Sequence, residues 1–168
     1  MNKIVARAVL VGGLLAGVFV FSALAEELLF RSIIIGSNPN TLIGGVPSGG
    51  APWTVRSGSA VLDGDGRLRV EVRELILPKL GNPGPVSSVS ASLVCGGTGG
   101  AVVATTDAVP LSADGNAEIE SRINIPSTCF GPVVLVRAVF NGNPGPWIAS
   151  TGFTNTSEPN VKDDEGRN

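Results

Sequence analysis

Residues 57–77 read SGSAVLDGDGRLRVEVRELIL, and this stretch decides the fold class. From Arg67 to Leu77 the charged side chains of Arg67, Arg69, Glu71 and Arg73 alternate with Leu68, Val70 and Val72. Side chains of an extended strand point alternately to its two faces, so this spacing sends charges to water and aliphatics to a core. Ser57–Leu62 forms a second run, joined to the first by Asp63-Gly64-Asp65-Gly66. Asp-Gly between two such runs predicts a hairpin with a primed turn, whose residues take positive φ.

The pattern continues outward. Ser88–Cys95 predicts a strand with Val89, Ala91, Leu93 and Cys95 on a core face and Ser88, Ser90 and Ser92 on a wet face. Ala101–Val109 is a more apolar strand, turned by Ser112-Ala113-Asp114-Gly115 into Ala117–Ile125. There Ile119, Ile123 and Ile125 face in, and Glu118, Glu120 and Arg122 face out. Val133–Phe140 reads as a central strand with Val134, Val136, Ala138 and Phe140 inward and Arg137 outward, and Trp147–Phe153 closes the series. These are seven strands within 53–153, with an eighth at Leu28–Ile35. The 23 glycines and 12 prolines cluster between the runs, as turns do. Helical periodicity is almost absent beyond residue 25. The expected fold is an all-β antiparallel sandwich, immunoglobulin-like or Greek-key.

The N-terminus has a different character. Lys3 and Arg7 precede an apolar run, Ala8–Ser22, followed by Ala23-Leu24-Ala25 and then Glu26-Glu27. That order is the signature of a secretory signal peptide cleaved after Ala25. The rival reading is an uncleaved anchor, for which the run is short against a span of about 20 residues. Expected boundaries are therefore a signal peptide at 1–25, an N-terminal strand and Gly/Pro-rich loop at 26–52, the sandwich at 53–153, and a disordered polar tail at 154–168. Export implies an oxidising compartment, so Cys95 and Cys129 are expected to pair. Reversing direction at each turn brings both cysteines to one end of the sandwich. The repeated pentapeptide, Gly81-Asn82-Pro83-Gly84-Pro85 and Gly142-Asn143-Pro144-Gly145-Pro146, falls at the other end and reads as one Pro-Gly turn used twice. Cleavage removes two of the 12 basic residues and none of the 14 acidic ones, leaving a formal charge of −4. That balance points away from nucleic acid, and no amphipathic segment of the mature part reads as membrane-binding.

The chain contains no histidine and no tyrosine. Ser-His-Asp and Cys-His nucleophile systems and His-ligated zinc or copper sites are therefore impossible. A Ser–Lys mechanism needs a buried lysine, and Lys79 and Lys162 both read as solvated. Glu118 and Glu120 share a strand face with Arg122, the pattern of a solvated surface, so a carboxylate-dependent hydrolase is the remote alternative. Asp63 and Asp65 supply two carboxylates of a calcium loop, where six to eight oxygens are needed, and the hairpin explains them without a metal. Trp53 and Trp147 each follow a proline. Exposed beside Asn82 or Asn143 they would make a carbohydrate-binding face; buried, they plug the ends of the core. Asn155-Thr156-Ser157 is a glycosylation sequon that matters only in a eukaryotic source.

Residues 45–152 resemble a loose group of uncharacterised exported β-sandwich proteins of high-GC soil bacteria. Carrying the resemblance are Gly49-Gly50-Ala51-Pro52-Trp53, Leu62–Leu68, the two cysteines and Trp147-Ile148-Ala149-Ser150-Thr151-Gly152. It implies export and a sandwich, and brings no known activity. The Leu62–Leu68 hairpin is also similar to that of chordin-type secreted β-domains, whose histidine-bearing strand this chain lacks. The expected role is a secreted, non-enzymatic structural or interaction domain. It takes no cofactor, and its partner is a cell-surface polymer or protein. A carbohydrate-binding module is the alternative.

Overall fold

The computed structural model describes residues 27–153. The expected signal peptide and polar tail, with the sequon, lie outside the described residues. The strands are β1 (Leu28–Gly36), β2 (Leu42–Ile43), β3 (Val46–Pro47), β4 (Ser57–Asp63), β5 (Arg67–Arg73), β6 (Ser88–Cys95), β7 (Ala101–Thr105), β8 (Val109–Pro110), β9 (Ala117–Arg122), β10 (Val133–Phe140) and β11 (Asn143–Thr151). They form one antiparallel ladder, β7-β6-β10-β11-β1-β4-β5-β9, with β8 also beside β6, and a separate β2-β3 hairpin. The ladder folds over at β1. Residues Leu28–Ile33 pair with β4, and Ile34–Gly36 pair with β11. One layer is thus β1-β4-β5-β9 and the other β1-β11-β10-β6 with β7 and β8. The all-β sandwich is the observed architecture, and Cys95 is bonded to Cys129 with a Cα–Cα separation of 5.0 Å.

Period two works as expected on β5 and β9. Leu68, Val70, Val72, Ala117 and Ile119 are buried between the layers with Ala60, Leu93, Val134, Val136 and Ile148. Arg69, Glu71, Arg73, Glu118 and Glu120 are exposed on the outer face. Fully burying a Val, Leu or Ile side chain stabilises by about 1.5–3 kcal/mol, so this layer of aliphatics is the main source of stability.

On β6 the expectation fails. Its serine face is not wet: Ser90 and Ser92 are both fully buried, and so is Val94. The β2-β3 hairpin, inside the segment read as a plain loop, lies over the outer face of this layer. Ile43 and Val46 pack there on Val94, Leu135 and Trp147 as a second, smaller core. Gly44 sits directly over Val94; a Cβ there would lie 2.7 Å from a Val94 methyl. Ser92 shares a 2.8 Å hydroxyl contact with Thr105, which satisfies it without water.

The turns differ from the expected types. In the 63–66 hairpin only Gly66 has positive φ, and its N–H donates to the Asp63 carbonyl at 2.9 Å. This is a type I turn closed by a left-handed glycine, the three-residue alternative to a primed turn. The repeated pentapeptide takes two conformations. Gly84 follows Pro83 with φ 60, as a Pro-Gly turn requires, while the second copy lies within β11. The β10-β11 hairpin turns instead at Asn141 and Gly142, with φ 52 and 77. Pro144 and Pro146 fit in the strand because register shifts surround Arg137. The Arg137 guanidinium donates to the Pro144 and Gly145 carbonyls at 2.6 and 2.7 Å. Phe140, expected in the core, is 43% exposed beside this turn. β5 ends at Arg73 and not Leu77, because Glu74 has φ 51.

Trp147 is 4% exposed and its Nε1 has no hydrogen-bond partner, so packing alone holds the indole. Trp147→Ala is expected to cost about 3–5 kcal/mol in urea unfolding and Trp147→Phe no more than about half that. Equal losses would mean that a hydrogen bond fixes the ring.

Candidate functional site

The residues that sequence reasoning singled out do not come together. Trp53 is 7% exposed, so both indoles are buried and neither offers a face to a sugar ring. The Trp53 N–H donates to the Ser37 carbonyl at 2.9 Å, and its ring packs beside Gly49. Asn82 and Asn143 are exposed, but each serves its own turn. Asn82 Oδ1 accepts from the Gly84 N–H at 2.8 Å, and Asn143 Nδ2 donates to the Asn141 carbonyl at 3.0 Å. The carbohydrate face expected from these four residues is therefore not formed.

The carboxylates act as braces. Arg69 Nη2 donates to buried Asp63 Oδ2 at 2.9 Å. Asp65 Oδ1 accepts from the Arg67 N–H at 3.0 Å, and its Oδ2 from Arg122 Nη2 at 2.7 Å. These contacts pin the 63–66 turn to the neighbouring β9. The two candidate calcium ligands thus have arginine partners, and among the described residues no group of three or more His, Cys, Asp or Glu is placed to hold a metal ion. Glu118 stands opposite Glu71 on the open outer face, not beside a second acid in a closed cleft. Arg73 binds the Glu71 carboxylate through Nε at 2.7 Å and Nη2 at 2.6 Å. Lys79 is exposed, as expected.

What the fold does gather is apolar, and it lies at the disulfide end. A cleft of about 230 Å³ opens between the layers, lined by Leu29, Phe30, Leu62, Leu93, Ile125, Pro126, Ser127, Cys129 and Pro132. Between Cys129 and Pro132 stands Phe130, 78% exposed. Its loop is clamped by the disulfide and by two backbone bonds, Gly96 N–H to the Phe130 carbonyl at 2.6 Å and Gly97 N–H to the Gly131 carbonyl at 3.1 Å. β1 begins at this end with Leu28 and Leu29, 53% and 50% exposed, and β11 runs toward it and is followed by Phe153, 81% exposed. Scattered exposed leucines are ordinary on protein surfaces; several large apolar groups at the mouth of an apolar cleft mark a contact site. Sequence reasoning missed this site. Its one signal was Phe130 beside Cys129, an aromatic in a turn-rich segment next to a staple.

No protein-family model, curated protein or solved structure matches this chain.

The Arg67 backbone N–H and the Arg122 and Arg67 charges hold the Asp65 carboxyl below its ordinary value, outweighing a desolvation that raises it. A depressed folded-state pKa stabilises above the unfolded value, about 3.9, and that stabilisation is lost as pH falls through the folded pKa. Asp65→Asn is therefore expected to lower stability at neutral pH and to flatten the acid limb below about pH 4. Unfolding midpoints measured across that range check this; parallel acid limbs for the two proteins would contradict it.

Proposed function

We propose that this chain is an exported, non-enzymatic β-sandwich domain that makes its contacts at the cell exterior through the apolar disulfide end. The observation that carries the reading is the convergence there of Leu28, Leu29, Phe130 and Phe153 around an apolar cleft. A disulfide and two backbone bonds hold Phe130 in place although the core gains little from its ring. Export is supported by the order of charge, apolar run and Ala23-Leu24-Ala25, and by the pairing of Cys95 with Cys129, which needs an oxidising compartment. The resemblance to exported soil-bacterial sandwich proteins fits the same reading. A non-enzymatic role is supported by the absence of histidine and tyrosine from the whole chain and by the use of Asp63, Asp65 and Glu71 in ion pairs.

The exported protein is expected to begin at Glu26, by mass spectrometry, with no free thiol. Added to isolated envelopes of the organism that exports it, it should be retained. Phe130→Ser and Leu29→Ser should each weaken retention by about tenfold, the equivalent of one apolar side chain leaving a contact. Leu80→Ser, an exposed apolar residue remote from the disulfide, should leave retention unchanged. Retention indifferent to Phe130 and Leu29 would remove this end as the contact surface.

A further inference from the structure

We propose that the partner of the disulfide end is a lipid bilayer surface. This rests on reading that end as the contact site and adds what it touches.

Chain topology supports it first. β1 starts at this end and β11 finishes there, so both ends of the described chain leave from one place. The apolar run closes at Ser22, five residues before Leu28. Five residues span at most about 17 Å, so while the leader is still in the membrane this end faces the bilayer directly. The second support is chemical. The exposed groups are two leucines and two phenylalanines, the residue types that seat a protein in the boundary between headgroups and acyl chains. The third is electrostatic. Asp63 and Asp65, the acids of the nearby 63–66 turn, are matched by Arg69 and Arg122, which leaves an apolar contact free of unbalanced acid there. The mature chain carries a formal charge of −4, so it has no basic excess to attract anionic lipid.

The test uses the processed protein, with its disulfide formed, co-sedimented with phosphatidylcholine vesicles and with phosphatidylcholine–phosphatidylglycerol vesicles at low and high salt. Binding to both is expected, with affinities within about twofold of each other and little salt dependence. Phe130→Ser should weaken it by about tenfold, and the Leu28→Ser, Leu29→Ser double variant by more. Phe130→Trp should keep binding and add a blue-shifted emission when vesicles are present. Leu80→Ser should bind as the native protein does. Absence of vesicle binding, with envelope retention still dependent on Phe130, would overturn the lipid and leave the contact surface standing. Loss of both would overturn the surface itself. Binding confined to anionic vesicles and lost in salt would overturn an apolar contact. A concentration-dependent dimer abolished by Phe130→Ser would assign the end to a second copy of the chain instead.

Discussion

The two layers depend on one strand. β1 gives its first half to β4 and its last three paired residues to β11, so the layers share a continuous hydrogen-bonded corner as well as side-chain contact. Without it β4 and β11 would each expose an edge of unpaired N–H and C=O groups, a template for pairing with other chains. The same strand delivers the chain to the outer face of the second layer. After Gly36, Ser37 N–H bonds to the Ile148 carbonyl at 3.0 Å, and ten residues later the returning segment bonds through Gly49 N–H to the Trp147 carbonyl at 2.8 Å. The lid that buries Trp147 is therefore a consequence of where β1 ends.

How much of this was legible depended on whether a strand had a wet face. β5 and β9 do, and alternation of Arg and Glu with aliphatics placed them directly. β6 does not. Its serines were read as solvent-facing because serine next to water and serine beneath a lid look alike in one dimension. Only the β2-β3 hairpin distinguishes them, and strands of two residues are too short to show a period. The second pentapeptide misled for a related reason. Asn141-Gly142 is among the strongest hairpin signals, but the repeated Asn-Pro-Gly-Pro beside it drew attention to the wrong dipeptide. Proline in β11 became acceptable only because Arg137 satisfies the carbonyls around it, a contact that no local rule supplies.

The site was less legible than the fold. Tryptophan is large, amphipathic and often exposed, so Trp53 and Trp147 were reasonable places to seek a ligand; their burial at 7% and 4% follows from the lid and the β1 crossing, both tertiary events. Leu28, Leu29, Phe130 and Phe153 come from two strand ends and a loop. Nothing in their spacing brings them together, and only the strand order does.

The disulfide ties these observations into one argument. The loop it closes runs from β6 through β7, β8 and β9, and in the chain-entropy account a loop of this length stabilises by roughly 3–4 kcal/mol. Yet the bridge is not attached to the core of β9 or β10. It is attached at Cys129, within 123–132, a segment whose main buried apolar contribution is Ile123. A staple intended only for stability would do as well between strands. Placed here, with Gly96 and Gly97 bonded to the backbone on either side of the Phe130 ring, it restrains a loop that would otherwise be free to fold that ring over the cleft beside it. Leaving a phenylalanine 78% exposed forgoes the burial energy that the ring would gain in the cleft. A chain that rigidly maintains that arrangement is keeping an apolar surface available for something outside itself.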